Sequence, residues 1–205
     1  MLFYLAEKSV EAGKKTGVFT TVKMLIPQND RKKEFFVPPE FPESFEKIAV
    51  FGVPGKEGKF GIPENYGEIL NRFDAIFVEA DGSKRLPLKF HATHEPQIIP
   101  ENQFTIFVAG LSALDREFSQ GVFRWENSPI AHTGKVDEGI FAYVVLSDLW
   151  ELEKRNIGVD MIFLNQGDDE ATLQRGRKIA EEVGKKFSGK IILGSVKNSY
   201  FEECT

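Results

Sequence analysis

Four short runs constrain this chain more than anything else in it: AIFV (Ala75 to Val78), FTIFVAG (Phe104 to Gly110), DMIFLN (Asp160 to Asn165) and KIILGSV (Lys190 to Val196). Each is apolar at its centre without alternating, so neither face of the strand it forms can look at water. Strands covered on both sides are the habit of parallel sheets, whose connections are helices that lie on the faces. Thr16 to Met24 and Lys47 to Val53 are two further β-branched, apolar strands. Residues 1 to 12 read as a helix with Leu2, Leu5, Ala6 and Val10 on one face and a stop at Gly13. Pro63 to Arg72 is a short helix with Pro63 in its first turn. Val136 to Trp150 is apolar almost all round, which predicts a deeply packed helix, with a strand as the alternative. Asp169 to Phe187 carries Leu173, Ile179, Ala180, Val183 and Phe187 at helical spacing, acids first and cations last. The segment from Pro27 to Phe45 is polar and Pro-rich, a loop with at most one short extended piece. The expectation is an α/β fold, a mostly parallel sheet flanked by helices, spanning residues 1 to 205 as one domain without repeats or an interdomain linker.

A net charge of −5 argues against a non-specific nucleic-acid binder, which needs a basic surface for phosphates. No apolar run approaches the ~20 residues of a membrane span. The first fifteen residues are interrupted by acids and lack the basic start of a signal peptide. One cysteine, Cys204, cannot form an internal disulfide, which fits a reducing compartment. The expected location is cytoplasmic, and Cys204, one residue from the end, reads as part of a frayed tail.

In an open parallel sheet, ligands sit outside the carboxyl ends of the strands. The run AIFV continues as EADGSKR, which delivers Glu79, Asp81, Ser83, Lys84 and Arg85 to that rim. Paired carboxylates suit a Mg²⁺–phosphate site, because a hard cation takes oxygen ligands and keeps several waters. Lys84, Arg85 and Lys89 are candidates to neutralise phosphate or a carboxylate ligand. A strand followed by a solvated charged loop is the plainer alternative. MIFLNQGDD places Asn165 and Asp168 after another apolar strand, in an N-x-x-D frame. In GTP-binding proteins such a segment reads N-K-x-D: its Asp accepts two hydrogen bonds from the guanine edge and its Asn braces the loop. Here Gln166 stands in the Lys position, and a helix cap by Asp168 or Asp169 is the competing explanation.

The stretch VEADGSKRLPLKFHATHEP, with TTVKM before it, resembles the YqeC family. The positions that carry the likeness are Glu79, Ala80, Asp81, Gly82, Ser83, Pro87, Leu88, Lys89, His94, Glu95, Pro96, Ile99 and Pro100. FVAGLSALDREF resembles the family's next strand and turn, with Asp115 where a Gly is expected, and FLNQGDD resembles its later N-K-x-D strand. The resemblance implies a P-loop NTPase-like fold and an accessory role in maturing a selenium-dependent molybdenum hydroxylase. It implies Glu79 and Asp81 as catalytic and Mg²⁺-binding residues. Thr20, Thr21, Lys23, Asn165 and Asp168 would contact nucleotide, and Ser83, Lys84, Arg85, Lys89, His94 and Glu95 would form a substrate rim. The cofactors would be Mg²⁺ with GTP or ATP.

The chain departs from that pattern at its start. The family is expected to open with a strand and a glycine-rich phosphate loop ahead of the first helix, and no G-x-x-x-x-G-K-[ST] occurs among the 205 residues. Val22 also replaces the third of three expected threonines. Deleting an interior strand would leave its neighbours with unpaired backbone groups. The natural polypeptide is therefore expected to begin upstream of Met1, with nucleotide binding confined to that complete form. The alternative is a member that lost nucleotide binding and serves as a non-enzymatic chaperone or scaffold. Expected partners are a nucleotide or small phosphorylated ligand and a client molybdenum hydroxylase, with no nucleic acid or membrane; a homodimer is one way to cover an open sheet edge.

His91, His94 and Glu95 form H-x-x-H-E, a zinc-like spacing for which the sequence offers no assured third ligand; His132 is the other histidine. Nineteen Phe against four Tyr indicate rings used as core. Arg116 to Pro129 gathers Phe118, Phe123 and Trp125 in a loop-like context, a candidate partner surface. Nothing marks a nucleophile turn for Ser–His–Asp or Cys–His chemistry.

Overall fold

The computed structural model describes residues 1 to 205 except 30, 43, 130 to 133 and 205; His132 lies outside the described residues. The chain forms two compact units. The first holds Met1–Gly82 with Pro96–Ile99, the second Ser83–Glu95 with Pro100–Thr205.

The first unit contains α1 (Leu2–Glu11), β1 (Thr16–Thr20), β2 (Met24–Leu25), β3 (Lys33–Phe36), β4 (Ile48–Phe51), β5 (Val53–Pro54), β6 (Lys59–Gly61), α2 (Tyr66–Leu70) and β7 (Ala75–Glu79). Its main sheet has the order β3-β4-β1-β7, with every neighbouring pair parallel. Successive residues of β1 and β4 feed opposite faces, and both faces are dry. Val18, Ile48 and Val50 pack with Ala6, Leu2, Phe3 and Val10 of α1. Phe19, Ala49 and Phe51 pack with Ile69, Phe36, Phe41, Phe73 and Ile99. This double cover buries β1 and β4 throughout, while AIFV forms the edge strand β7 and is only half-buried.

Two expected strands are shorter than the sequence suggested. Thr16 to Met24 ends at Thr20, because Thr21 turns out of the ladder: its amide donates to the Glu79 carbonyl (3.0 Å) and its hydroxyl to the Gln97 carbonyl (2.7 Å). Met24 and Leu25 then join a small antiparallel sheet, β2-β6-β5. Lys47 to Val53 breaks at Gly52, where a Cβ would stand 2.0 Å from Phe60 Cδ2, so only glycine lets the backbone pass. The polar segment after Pro27 contains one extended piece, β3.

The second unit contains β8 (Leu88–Lys89), β9 (Ile106–Gly110), α3 (Phe118–Gly121), β10 (Val122–Phe123), α4 (Glu138–Lys154), β11 (Met161–Asn165), α5 (Glu170–Gly184), β12 (Lys190–Ser195) and β13 (Tyr200–Cys204). Its sheet runs β13-β12-β11-β9, parallel except for β13. Its core gathers Ala109, Leu111, Phe141, Val145, Ile162, Leu164, Ile179, Val183 and Leu193. Helices α4 and α5 begin at Asp137 and Asp169, whose side chains accept from the Ile140 and Thr172 amides.

The frayed tail is not what forms. Residues 200 to 204 hydrogen-bond to β12, Cys204 lies opposite Ile191, and burial pushes its thiol pKa up. Among the described residues no helix is long and apolar enough to cross a membrane. The α/β class with parallel sheets flanked by helices is therefore as expected.

Candidate functional site

In the first unit, β1 and β7 lie in parallel register from Thr16↔Ala75 to Thr20↔Glu79, so Thr20 and Glu79 finish side by side. Their ends are knitted together. Thr20 Oγ1 donates to the Glu79 carbonyl at 2.9 Å and accepts from the Val22 amide at 3.2 Å. Both threonines are buried, with their hydroxyl protons committed to main-chain oxygens. Lys23 is exposed.

Burial is the main reason the Glu79 carboxyl holds its proton up to about 7; the nearby Asp81 charge adds to this, and the α-amino group at the start of α1 opposes it. That amine is itself held down by burial, against the attraction of Glu79. Helix α1 packs against β7, and the charge at its start and the Glu79 carboxylate attract one another. Two neighbouring oxygen-donor side chains, of which Glu79 is held toward protonation by burial, fit a hard divalent cation that would displace that proton. Among the described residues no group of three or more His, Cys, Asp or Glu could hold a metal, so water or phosphate oxygens would have to complete the shell.

The other rim residues belong to the second unit. Ser83 closes a tight turn: the Leu86 amide donates to the Ser83 carbonyl (2.9 Å) and Ser83 Oγ donates to the Leu86 carbonyl (2.8 Å). Lys84 and Arg85 occupy its left-handed positions and are exposed. Lys89 is buried, with Nζ 2.7 Å from Glu95 Oε2, and Arg124 forks onto both Glu95 oxygens. The Arg124 guanidinium and the Lys89 ammonium hold the Glu95 carboxyl down at about 2. Glu95 therefore anchors its loop, while His94 is 67% exposed and 3.7 Å from it.

Two residues that sequence reasoning missed finish the anchoring. Arg155 donates to the carbonyls of Ala92 (3.0 Å), Thr93 (2.9 Å) and Glu95. Asp148, 1% exposed, accepts from both the amide (2.8 Å) and Nδ1 (2.5 Å) of His91. The H-x-x-H-E spacing does not converge on a metal: His91 is turned into the protein and His94 out of it. A carboxylate inside an otherwise apolar helix was the available signal for Asp148; nothing in the sequence marked Arg155.

The second unit also has a cleft of about 310 Å³ at the carboxyl ends of β9 and β11, lined by Leu111, Ser112, Leu114, Asp115, Gln166, Asp168, Asp169, Thr172 and Arg175. Asn165 braces the loop: its Oδ1 accepts from the Val196 amide at 3.2 Å. Asp168 Oδ1 accepts from Ser195 Oγ at 2.6 Å, and its carbonyl accepts from Asn198 Nδ2 at 3.1 Å. Asp169, not Asp168, caps α5. Gln166 and Asp115 both have left-handed backbones, which accounts for the glycine expected at position 115. Gln166 Oε1 accepts from Ser112 Oγ at 2.7 Å. Arg175 forks onto Glu138 and reaches Asp115 at 2.6 Å.

These features define an α/β protein with parallel sheets and polar crevices where strands end. The chain belongs to the YqeC family: the family model, described as YqeC protein, matches residues 1 to 126. It is similar to "Uncharacterized protein YqeC" of Escherichia coli (strain K12), with 32% identity over 136 residues, covering 61% of this chain and 53% of that protein. The chain spans about half the length of the curated relative it matches. No solved structure matches it.

Proposed function

We propose that this chain belongs to an accessory protein for the maturation of a selenium-dependent molybdenum hydroxylase, one that binds Mg²⁺–nucleotide in a form extended upstream of α1. One arrangement carries the nucleotide part: Glu79, followed closely by Asp81, at the end of β7, beside the hydroxyl-rich end of β1, with the Glu79 carboxylate attracted to the charge at the start of α1. Carboxylate oxygens hold a Mg²⁺, and a helix N-terminus attracts the phosphate charge the metal carries. Glu79 and Asp81 are the metal and catalytic pair. Thr20 and Thr21 fix the strand end that presents them, and Lys23 supplies an exposed cation. In the second unit, Asn165 and Asp168 form a base-recognition loop, proposed on that unit's own geometry. The backbone cradle for phosphates is proposed for a form in which a glycine-rich loop leads into α1. The free edge of β7, unpaired among the described residues opposite β1, suits the strand such a loop would follow.

The hydroxylase role comes from the family resemblance alone. Titrating GTP and ATP, each with and without Mg²⁺, against this chain and an upstream-extended one tests the nucleotide part. Mg²⁺-dependent binding by the extended chain, abolished by Asp81→Asn, is the expected result. Silence from both chains refutes the nucleotide reading and favours the scaffold.

A further inference from the structure

We propose that the outer face of the small sheet β2-β6-β5 in the first unit is a docking face for an extended acidic segment of a partner protein, one that carries aliphatic side chains between its carboxylates. The strand register shows which residues share that face. Leu25 lies opposite Lys59, and Val53 lies opposite Gly61. Residues directly across an antiparallel pair, and residues two apart on one strand, point the same way. Leu25, Lys59, Gly61 and Val53 therefore form one face, and Met24 and Phe60 belong to the other. Phe60 is 1% exposed and packs with Met24 into the core of the first unit. The outer face is left to solvent, with Leu25 50% and Val53 46% exposed.

Gly61 points to an occupant. A glycine inside a strand weakens it, and it is kept where the backbone turns left-handed or where something approaches too closely for a side chain. Gly52 and Gly58, nearby in the chain, have such reasons: a Cβ at Gly52 would stand 2.0 Å from Phe60, and Gly58 has φ +66°. Gly61 has neither. Its φ lies outside the left-handed region, and a Cβ there would meet the Val22 carbonyl at the ordinary distance of 3.7 Å. The missing side chain leaves bare backbone beside the exposed Val53, a flat seat on which another backbone can lie.

Charge selects what lies there. Lys59 stands on the face itself, and Lys23, just before β2, and Lys56, in the turn between β5 and β6, are exposed. Residues 23 to 25 and 53 to 61 carry these three lysines and one acid, Glu57, in a chain whose net charge is −5. Carboxylates from a partner complement that local excess, while two copies of the same face would set lysine against lysine. Glu57, 79% exposed in the same turn, opposes an anionic membrane. Neither Glu79 nor Asp81 takes part, so this face and the nucleotide reading stand or fall separately.

The test is an NMR titration of the full chain, its Leu and Val methyl groups isotope-labelled, with a short soluble peptide in which Glu alternates with Val and Thr. A counterpart with Lys in place of Glu is the control. The acidic peptide should move the Leu25 and Val53 methyl signals, and raising salt from about 50 to about 500 mM should weaken binding severalfold. Lys59→Glu should weaken it about tenfold. Gly61→Ala, which has room for its methyl group, should keep or raise the urea midpoint while weakening binding by a similar factor. If Gly61→Ala lowers the midpoint instead, Lys59→Glu decides alone. Unmoved Leu25 and Val53 signals, equal binding of the Lys peptide, or unchanged affinity in Lys59→Glu overturns the proposal. So do signals that move with phosphatidylglycerol vesicles and not with peptide, or with protein concentration alone, which would assign the face to a membrane or to a second copy.

Discussion

Replacing Glu79 by Gln should make the protein's stability less dependent on pH, and in one direction only. Burial and the Asp81 charge raise the Glu79 carboxyl from an ordinary 4.5 to about 7. Between those values the folded chain keeps a proton that the unfolded chain has lost, so folding is penalised progressively as pH climbs through the interval. Below 4.5 the penalty is absent, and above about 7 it is constant. At 1.36 kcal/mol per pH unit the interval corresponds to about 3 kcal/mol, and residual contact with water reduces that to on the order of 1–2 kcal/mol. Gln carries the same shape without the charge. Glu79→Gln should therefore match the parent near pH 4.5 and exceed it by on the order of 1–2 kcal/mol at pH 8. In a 205-residue chain that is a few degrees in Tm. Urea unfolding of both proteins at half-unit pH steps measures the difference directly, and the subtraction cancels every other titrating group. A difference curve that stays flat from pH 4 to 8 would refute the reasoning, since the crevice would then impose no penalty on charge at Glu79. Asp81→Asn should slide the upper end of the curve to lower pH, because it removes the second cause of the shift.

Other substitutions probe the anchors. Asp148→Ala should destabilise the second unit by on the order of 3 kcal/mol, since it strands both His91 donors in the interior; chemical denaturation reads it, and a change below ~1 kcal/mol would contradict the burial argument. Asp169→Ala should cost about 1 kcal/mol by uncapping α5, visible as a lowered urea midpoint. Gly194→Ala should prevent β13 from docking, because a Cβ there would meet the Tyr200 carbonyl at 2.1 Å; hydrogen exchange should show loss of protection across residues 200 to 204, and unchanged protection would show that the close approach is dispensable.

These strands were legible because a short apolar run without alternation has few alternatives, and AIFV, FTIFVAG, DMIFLN and KIILGSV all became strands with parallel neighbours, although AIFV and FTIFVAG form sheet edges and Val108 is exposed. What escaped depended on partners far along the chain. Gly52 stops a strand only because Phe60 fills the space a Cβ needs, and YFEEC pairs as a strand only because β12 offers it an edge. At the candidate sites, the position of Glu79 and Asp81 at a strand end could be read from an acid pair following an apolar run. The partners of Glu95 and Asp168 could not, because Arg124, Lys89 and Ser195 come from other segments. Arg155 was invisible for the same reason: a lone arginine at a helix end looks like any solvated cation until three carbonyls are found beneath it.

That arginine has a consequence for how the chain is made. The loop from Ala92 to Glu95 is gripped by a side chain about sixty residues downstream, and β9 is zipped by β11, later still. A nascent chain leaving the ribosome must wait for both before that loop settles. A fragment cut at residue 126, where the match to the family model stops, would take away the clamp and the zipper together and be left as a target for proteases.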